Sequence, residues 1–265
     1  AGITGDFGQC GSRILAITDT KKSPSIADAA FEAYAAQASD EGAVPEVLTA
    51  VVQLNVPDGD VPQILAVTPM IDRVISGHNM FACEGDVVTL QSVEEVKPGT
   101  PDNMTAHERY RWVLRRWDLS TGERVNIPVT DRNGEIVEFG YEGVLYGYQG
   151  IQVGSEYRMV ARNDDVFTVD LTSGQTRDLF YMNARKDAPD GYWMTYQMDK
   201  EGIYALEESR KDHIVTLFYR PWDGKEWREI FTTDKLAGYL KEGWFSGELK
   251  IQSFAVRPGW DGGAQ

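Results

Sequence analysis

The chain has 265 residues, 42% of them hydrophobic and 11% aromatic, which is enough apolar mass for a substantial core and excludes disorder of the whole chain. Its 26 basic and 41 acidic residues leave a formal charge of -15, which argues against nucleic acid or an anionic bilayer as the main partner, since both reward Lys and Arg. The surplus of carboxylates serves solubility, with a cation-attracting or basic-partner surface as its other use.

No apolar run is long enough to cross a bilayer, so no transmembrane segment is expected, and no charged region followed by an apolar one opens the chain. The first residues read as a mature or trimmed terminus, and Gly5-Asp6-Phe7-Gly8 is assigned neither strand nor helix. Cys10 and Cys83 are the only cysteines. Two in a chain of this size fit one disulfide in an oxidising compartment, which predicts an extracytoplasmic protein: secreted, periplasmic or at the cell surface. Two buried thiols would give the same count. A lipid-modified Cys10 is disfavoured because Phe7-Gly8-Gln9 lacks the small, apolar character of such a site.

Residues 12–19 read as a first strand, bounded by Gly11 and by Lys21-Lys22-Ser23-Pro24. A helical insertion follows at about 25–40. Ser25 and Asp28 have capping-box spacing, and Ile26, Ala30, Ala33 and Tyr34 share one face, which would lie across a sheet edge or between sheets. Val47–Val56, the turn Pro57-Asp58-Gly59-Asp60 and Val61–Val67 predict a hairpin. Beyond it the chain reads as repeated groups of four strands. First strands are expected at His78–Glu84, Gly143–Gln149 and Gly191–Gln197, and second strands at 87–93, 157–162 and 203–207. Third strands fall at 110–119, 165–171 and 213–220, and fourth strands at 124–129, 176–181 and 226–232. A solvated loop insertion occupies about 97–108, and Trp244–Val256 supplies one or two more strands.

The third and fourth strands of each group are joined by a repeated phrase. Trp117-Asp118-Leu119-Ser120-Thr121-Gly122 is echoed by Val169-Asp170-Leu171-Thr172-Ser173-Gly174 and, more bluntly, by Pro221-Trp222-Asp223-Gly224. In each, the glycine is expected to supply the positive φ of a tight hairpin. A period of about fifty residues argues for stacked four-stranded units. The expected fold is therefore all-β, a β-propeller of about four to five four-stranded blades in a single domain over 1–265.

These strand–Asp–Leu–x–x–Gly hairpins resemble the blade hairpins of quinoprotein-like and WD40-like β-propeller repeat proteins. The resemblance covers 78–233 well and 12–67 loosely. It implies architecture only, because the Gly-His element of true WD40 repeats and any quinone-cofactor signature are missing. In this register Cys10 immediately precedes the inner strand of the first blade and Cys83 lies in that of the next, so a bridge of ordinary geometry is expected between neighbouring blades.

His78, His107 and His213 have no metal-ligand spacing, and no phosphate loop, nucleophile elbow or H-E-x-x-H helix is present, so neither a metal nor a cofactor is expected. Asp118, Asp170 and Asp223 read as acceptors for their own turns. Asp58-Gly59-Asp60 and Asn163-Asp164-Asp165 read as solvated turns rather than calcium loops. Asn103-Met104-Thr105 matches a glycosylation sequon on a loop. Trp112, Trp117, Trp222 and Trp227 are expected to pack between blades. The candidate ligand contacts are Tyr148, Tyr196 and Glu84 on inner strands facing a channel. A catalytic carboxylate pair, if present, would come from Glu84 or Asp86 with Asp199. The chemistry favours a non-catalytic binding module for a protein or cell-surface ligand. The alternative is a glycoside hydrolase-like carbohydrate-active enzyme with carboxylates in its channel.

Overall fold

The computed structural model describes residues 3, 5–37, 45–55, 62–69, 81–95, 110–137, 150–160, 165–182, 192–209, 214–236, 251 and 254–256. They form four antiparallel four-stranded sheets, each a meander of consecutive strands in the manner of a propeller blade. The chain divides into two compact units, Ala1–Phe180 and Tyr181–Gln265.

The first unit holds three sheets. The first contains β1 (Asp6–Cys10), β2 (Arg13–Asp19), β3 (Leu48–Gln53) and β4 (Gln63–Pro69). The second contains β5 (Phe81–Glu84), β6 (Val87–Glu95), β7 (Tyr110–Asp118) and β8 (Arg124–Pro128). The third contains β9 (Gly150–Val153), β10 (Glu156–Val160), β11 (Asp165–Asp170) and β12 (Thr176–Tyr181). The first strands are neighbours across sheets, since β5 lies against both β1 and β9.

Alternation along the strands gives the second sheet two apolar faces, and each stacks on a neighbouring sheet. Val88, Leu90 and Trp117 of the second sheet pack on Leu15, Ile17, Val51 and Ala66 of the first. Its opposite face, with Trp112, Leu114 and Ile127, meets Tyr157, Met159, Phe167 and Val169 of the third. Both tryptophans are fully buried, as expected of residues between blades. The remaining face of the first sheet, with Ala16, Leu48, Ala50, Val52 and Val67, is covered by Ile26 of the preceding 3-10 turn and by Ala30 of helix α1 (Ala27–Gln37). The predicted apolar stripe is the one that docks, and it lies on the sheet's face. The N-cap differs from the expectation: Ser23, not Ser25, precedes a 3-10 turn at Pro24–Ile26, and its hydroxyl lies 2.8 Å from Thr18 Oγ1.

The second unit holds one sheet, β13 (Tyr192–Met198), β14 (Gly202–Ser209), β15 (Val215–Pro221) and β16 (Arg228–Thr233). Tyr204, Leu206, Val215 and Leu217 form its core with Ile251, Phe254 and Val256. These three tail residues are held without strand structure, through Ile251 N to Glu208 Oε2 (3.5 Å) and Val256 N to Gln197 Oε1 (2.8 Å). The rest of the tail predicted as strand lies outside the described residues.

Three expectations need correction. The terminal segment left unassigned is a strand: β1 pairs with β2 from Asp6↔Ile17 to Cys10↔Arg13, so residues 12–19 form the second strand of their blade. The first described strand of the third blade is β9 at Gly150–Val153, whereas the predicted stretch Gly143–Gln149 lies outside the described residues. Gly224 lacks the positive φ that Gly122 (75°) and Gly174 (78°) adopt, so the third hairpin phrase closes differently, with Gly224 N donating to Pro221 O at 3.0 Å.

Candidate functional site

The first and second strands of the three blades in the first unit are joined by two-residue turns, Gly11-Ser12, Gly85-Asp86 and Gly154-Ser155. Each glycine has φ near +60°, which suits the first central position of a type II′ hairpin. The turns bring Cys10, Glu84 and Val153 to equivalent strand ends. There Cys10 and Cys83 form the expected disulfide, with Cα atoms 5.4 Å apart, well inside the reach of a normal bridge.

Glu84, one of the predicted ligand contacts, is half-buried beside this bridge and engaged across the seam to the third blade. Gln152 of β9, 5% exposed, donates from Nε2 to Glu84 Oε2 (2.8 Å) and to Gly154 O (3.1 Å), while its Oε1 accepts from Thr89 Oγ1 (3.0 Å). These three contacts are all directional, and one side chain unites β5, β6 and β9. At the other seam Arg13 Nη1 meets Asp86 Oδ1 at 2.9 Å. The glycine-first turns carried a signal that sequence reading missed. A Gly-Ser or Gly-Asp pair after a short strand reads as a hairpin, and Gly11-Ser12 read that way places a strand before Arg13.

Of the three recurrent aspartates, Asp118 and Asp170 behave as turn acceptors. Asp118 Oδ1 accepts from Ser120 N (2.9 Å), Ser120 Oγ (2.6 Å) and Thr121 N (3.2 Å). Asp170 Oδ1 does the same with Thr172 N (2.9 Å), Ser173 N (2.7 Å) and Ser173 Oγ (3.0 Å). The Ser120 side chain in the first case and the Ser173 backbone N–H in the second hold these carboxyls below their ordinary range. Asp199 takes the same job in the second unit, accepting from Glu201 N (2.9 Å) and Gly202 N (2.8 Å). Glu156 is depressed although its burial opposes this, because Arg158 and Arg177 bind its two oxygens at 2.9 and 2.8 Å. Burial pushes the Tyr157 hydroxyl up, despite the Gln91 side chain beside it.

Tyr196 lies in β13 opposite Ala205, half-buried. It belongs to the second unit and Glu84 to the first. Tyr148, the histidines at 78, 107 and 213, Asp58-Gly59-Asp60 and Asn103 lie outside the described residues. Trp222 is not a core residue but a turn clamp, donating from Nε1 to Asp199 O at 2.9 Å. Among the described residues no helix is long and apolar enough to cross a membrane.

No family model and no curated protein matches the chain. Solved structures similar to it include an oligogalacturonate lyase in complex with manganese (10% identity, TM-score 0.44, covering 71% of this chain and 50% of that one). Others are YCF48 from Cyanidioschyzon merolae (9%, TM-score 0.38, 69% and 51%) and a mutant of Trypanosoma rangeli sialidase displaying trans-sialidase activity (12%, TM-score 0.35, 84% and 36%). The chain thus spans about half the length of the first of these or less. The blade architecture stands on the chain's own sheets and their stacked faces.

Proposed function

We propose that this chain is a non-catalytic, extracytoplasmic β-propeller module that binds a protein or another surface-displayed ligand. The observation that carries the reading is the Cys10–Cys83 bridge between the inner strands of successive blades. A covalent tie of this kind persists in an oxidising compartment and suits a rigid scaffold whose loops present a binding face. The carboxylates described above support it further. Asp118, Asp170 and Asp199 take N–H groups of their own turns, and Glu84 is held by Gln152, which are the duties of scaffold groups rather than of a general acid and base.

The test is to immobilise the oxidised full chain and probe it with a glycan array and an array of secreted and cell-surface proteins, while assaying chromogenic glycosides and oligogalacturonates for turnover. Saturable binding without product formation is the expected result. Turnover of any sugar substrate, abolished by a carboxylate substitution, would replace the binding reading with the enzymatic one. Absence of both binding and turnover would also count against it.

A further inference from the structure

Between β8 and the third blade the chain makes a small turn, Asp131-Arg132-Asn133-Gly134-Glu135, closed by a Thr130↔Ile136 bridge. Asn133-Gly134 is the only Asn-Gly pair in the sequence, and both residues are exposed. Gly134 has φ +85°, and a β-carbon built on it would meet nothing within 4 Å, so no side chain crowds the backbone at the attacking residue. Asp131 faces both ends of the reaction such a pair can undergo. Its Oδ2 accepts from the leaving group, Asn133 Nδ2, at 3.1 Å. The attacking atom, Gly134 N, donates to Asp131 O at 3.0 Å, and its N–H also faces the Asp131 carboxylate.

We propose that Asn133 is a self-modifying residue, converted to aspartate and isoaspartate with Asp131 relaying the proton. Gly134 N bonds to Asn133 Cγ as its proton passes to the Asp131 carboxylate. The Cγ–Nδ2 bond breaks, the same proton is returned to the departing nitrogen, and ammonia leaves. Water then opens the cyclic imide on either side of its nitrogen. Cleavage at Cγ gives aspartate, and cleavage at the main-chain carbonyl gives isoaspartate with an extra methylene in the backbone. No oxidant or further reactant is needed.

The product is not neutral for the fold. A carboxylate at 133 stands against Asp131 Oδ2 where an N–H donated before, and the extra methylene of isoaspartate, which follows the Cα of residue 133, breaks the spacing by which Asp131 Oδ1 holds Glu135 N (2.9 Å). The same turn carries the seam to the third blade. Gln175 Nε2 donates to Arg132 O at 3.0 Å, Thr130 N to Gly174 O at 2.8 Å, and Thr176 N to Thr130 O at 2.8 Å. The modification therefore loosens that seam.

The experiment ages the oxidised full chain at neutral pH and body temperature and follows Asn133 by peptide mapping with fragmentation that separates aspartate from isoaspartate. A synthetic peptide covering Thr130–Ile136 and the Asp131→Asn chain are run alongside. The expected result is a one-dalton gain at Asn133, at least as fast in the folded chain as in the peptide, and slowed about tenfold or more in Asp131→Asn. An Asn133 that stays amidated in the folded chain while the peptide converts would overturn the proposal. So would an Asp131→Asn rate equal to or above the parent's. Should that variant fail to fold, the ratio of folded-chain to peptide rate decides alone.

Discussion

Gln152 Nε2 lies 2.8 Å from Glu84 Oε2, and through this contact the inner strand of one blade holds the carboxylate of the next. Because the same amide also accepts from Thr89 and donates to Gly154 O, replacing Gln152 by Leu removes three hydrogen bonds at once. We expect Gln152→Leu to lower stability by about 1–3 kcal/mol, read as a lower urea midpoint at unchanged m-value. Glu84→Gln, which keeps an acceptor oxygen, should cost less than Gln152→Leu.

Gly174 has two reasons to be glycine and Gly122 has one that we can name. Both have positive φ, but a β-carbon on Gly174 would also strike Pro128 O of the neighbouring blade. Gly122→Ala should therefore cost about 1 kcal/mol, and Gly174→Ala about 2–4 kcal/mol. Equal losses would show that the docking of the β11–β12 hairpin on Pro128 contributes nothing.

Acid should weaken the fold through its turns. Asp118, Asp131 and Asp170 have folded values below the ordinary 3.8, so each contributes stability that is fully present above the unfolded value and is lost as pH falls through the depressed folded one. The loss should thus begin as pH drops below about 4–5 and continue beneath it. Asp118→Asn with Asp170→Asn keeps acceptors in both turns but removes the titration. The double variant should show a flatter dependence of urea midpoint on pH across that window, and an unchanged slope would exclude these turns as its source.

The disulfide closes a sequence separation of 73 residues. On the loop-closure model, Cys10→Ser with Cys83→Ser should cost about 4 kcal/mol. Hydrogen exchange should place the loss in β1 and β2 first, because β1 has only β2 as its ladder partner in the sheet.

These seams explain what the sequence could and could not disclose. The outer hairpins were legible because Asp-Leu-x-x-Gly writes a turn in local chemistry, and β12 falls at 176–181 as read. Helix α1 was legible because Ile26 and Ala30 recur at helical spacing on a face that meets a sheet. The inner strands β1 and β9 were not, and the reason is shared. Each carries a glycine where an aromatic ring from another strand lies against the backbone: Phe81 over Gly8 and Tyr157 over Gly150. Close approach takes away the branched or aromatic side chain that would have announced a strand. Gln152 escaped notice for a related reason, since a lone glutamine in a short strand gives no hint of partners 63 and 68 residues away.

Helix α1 gives the three-blade stack a beginning. Its inner side occupies the face that another sheet would need, and its outer side presents Asp28, Ala29, Glu32, Ala35 and Ala36 to solvent. A copy of a blade placed directly ahead of the first would have to displace the helix.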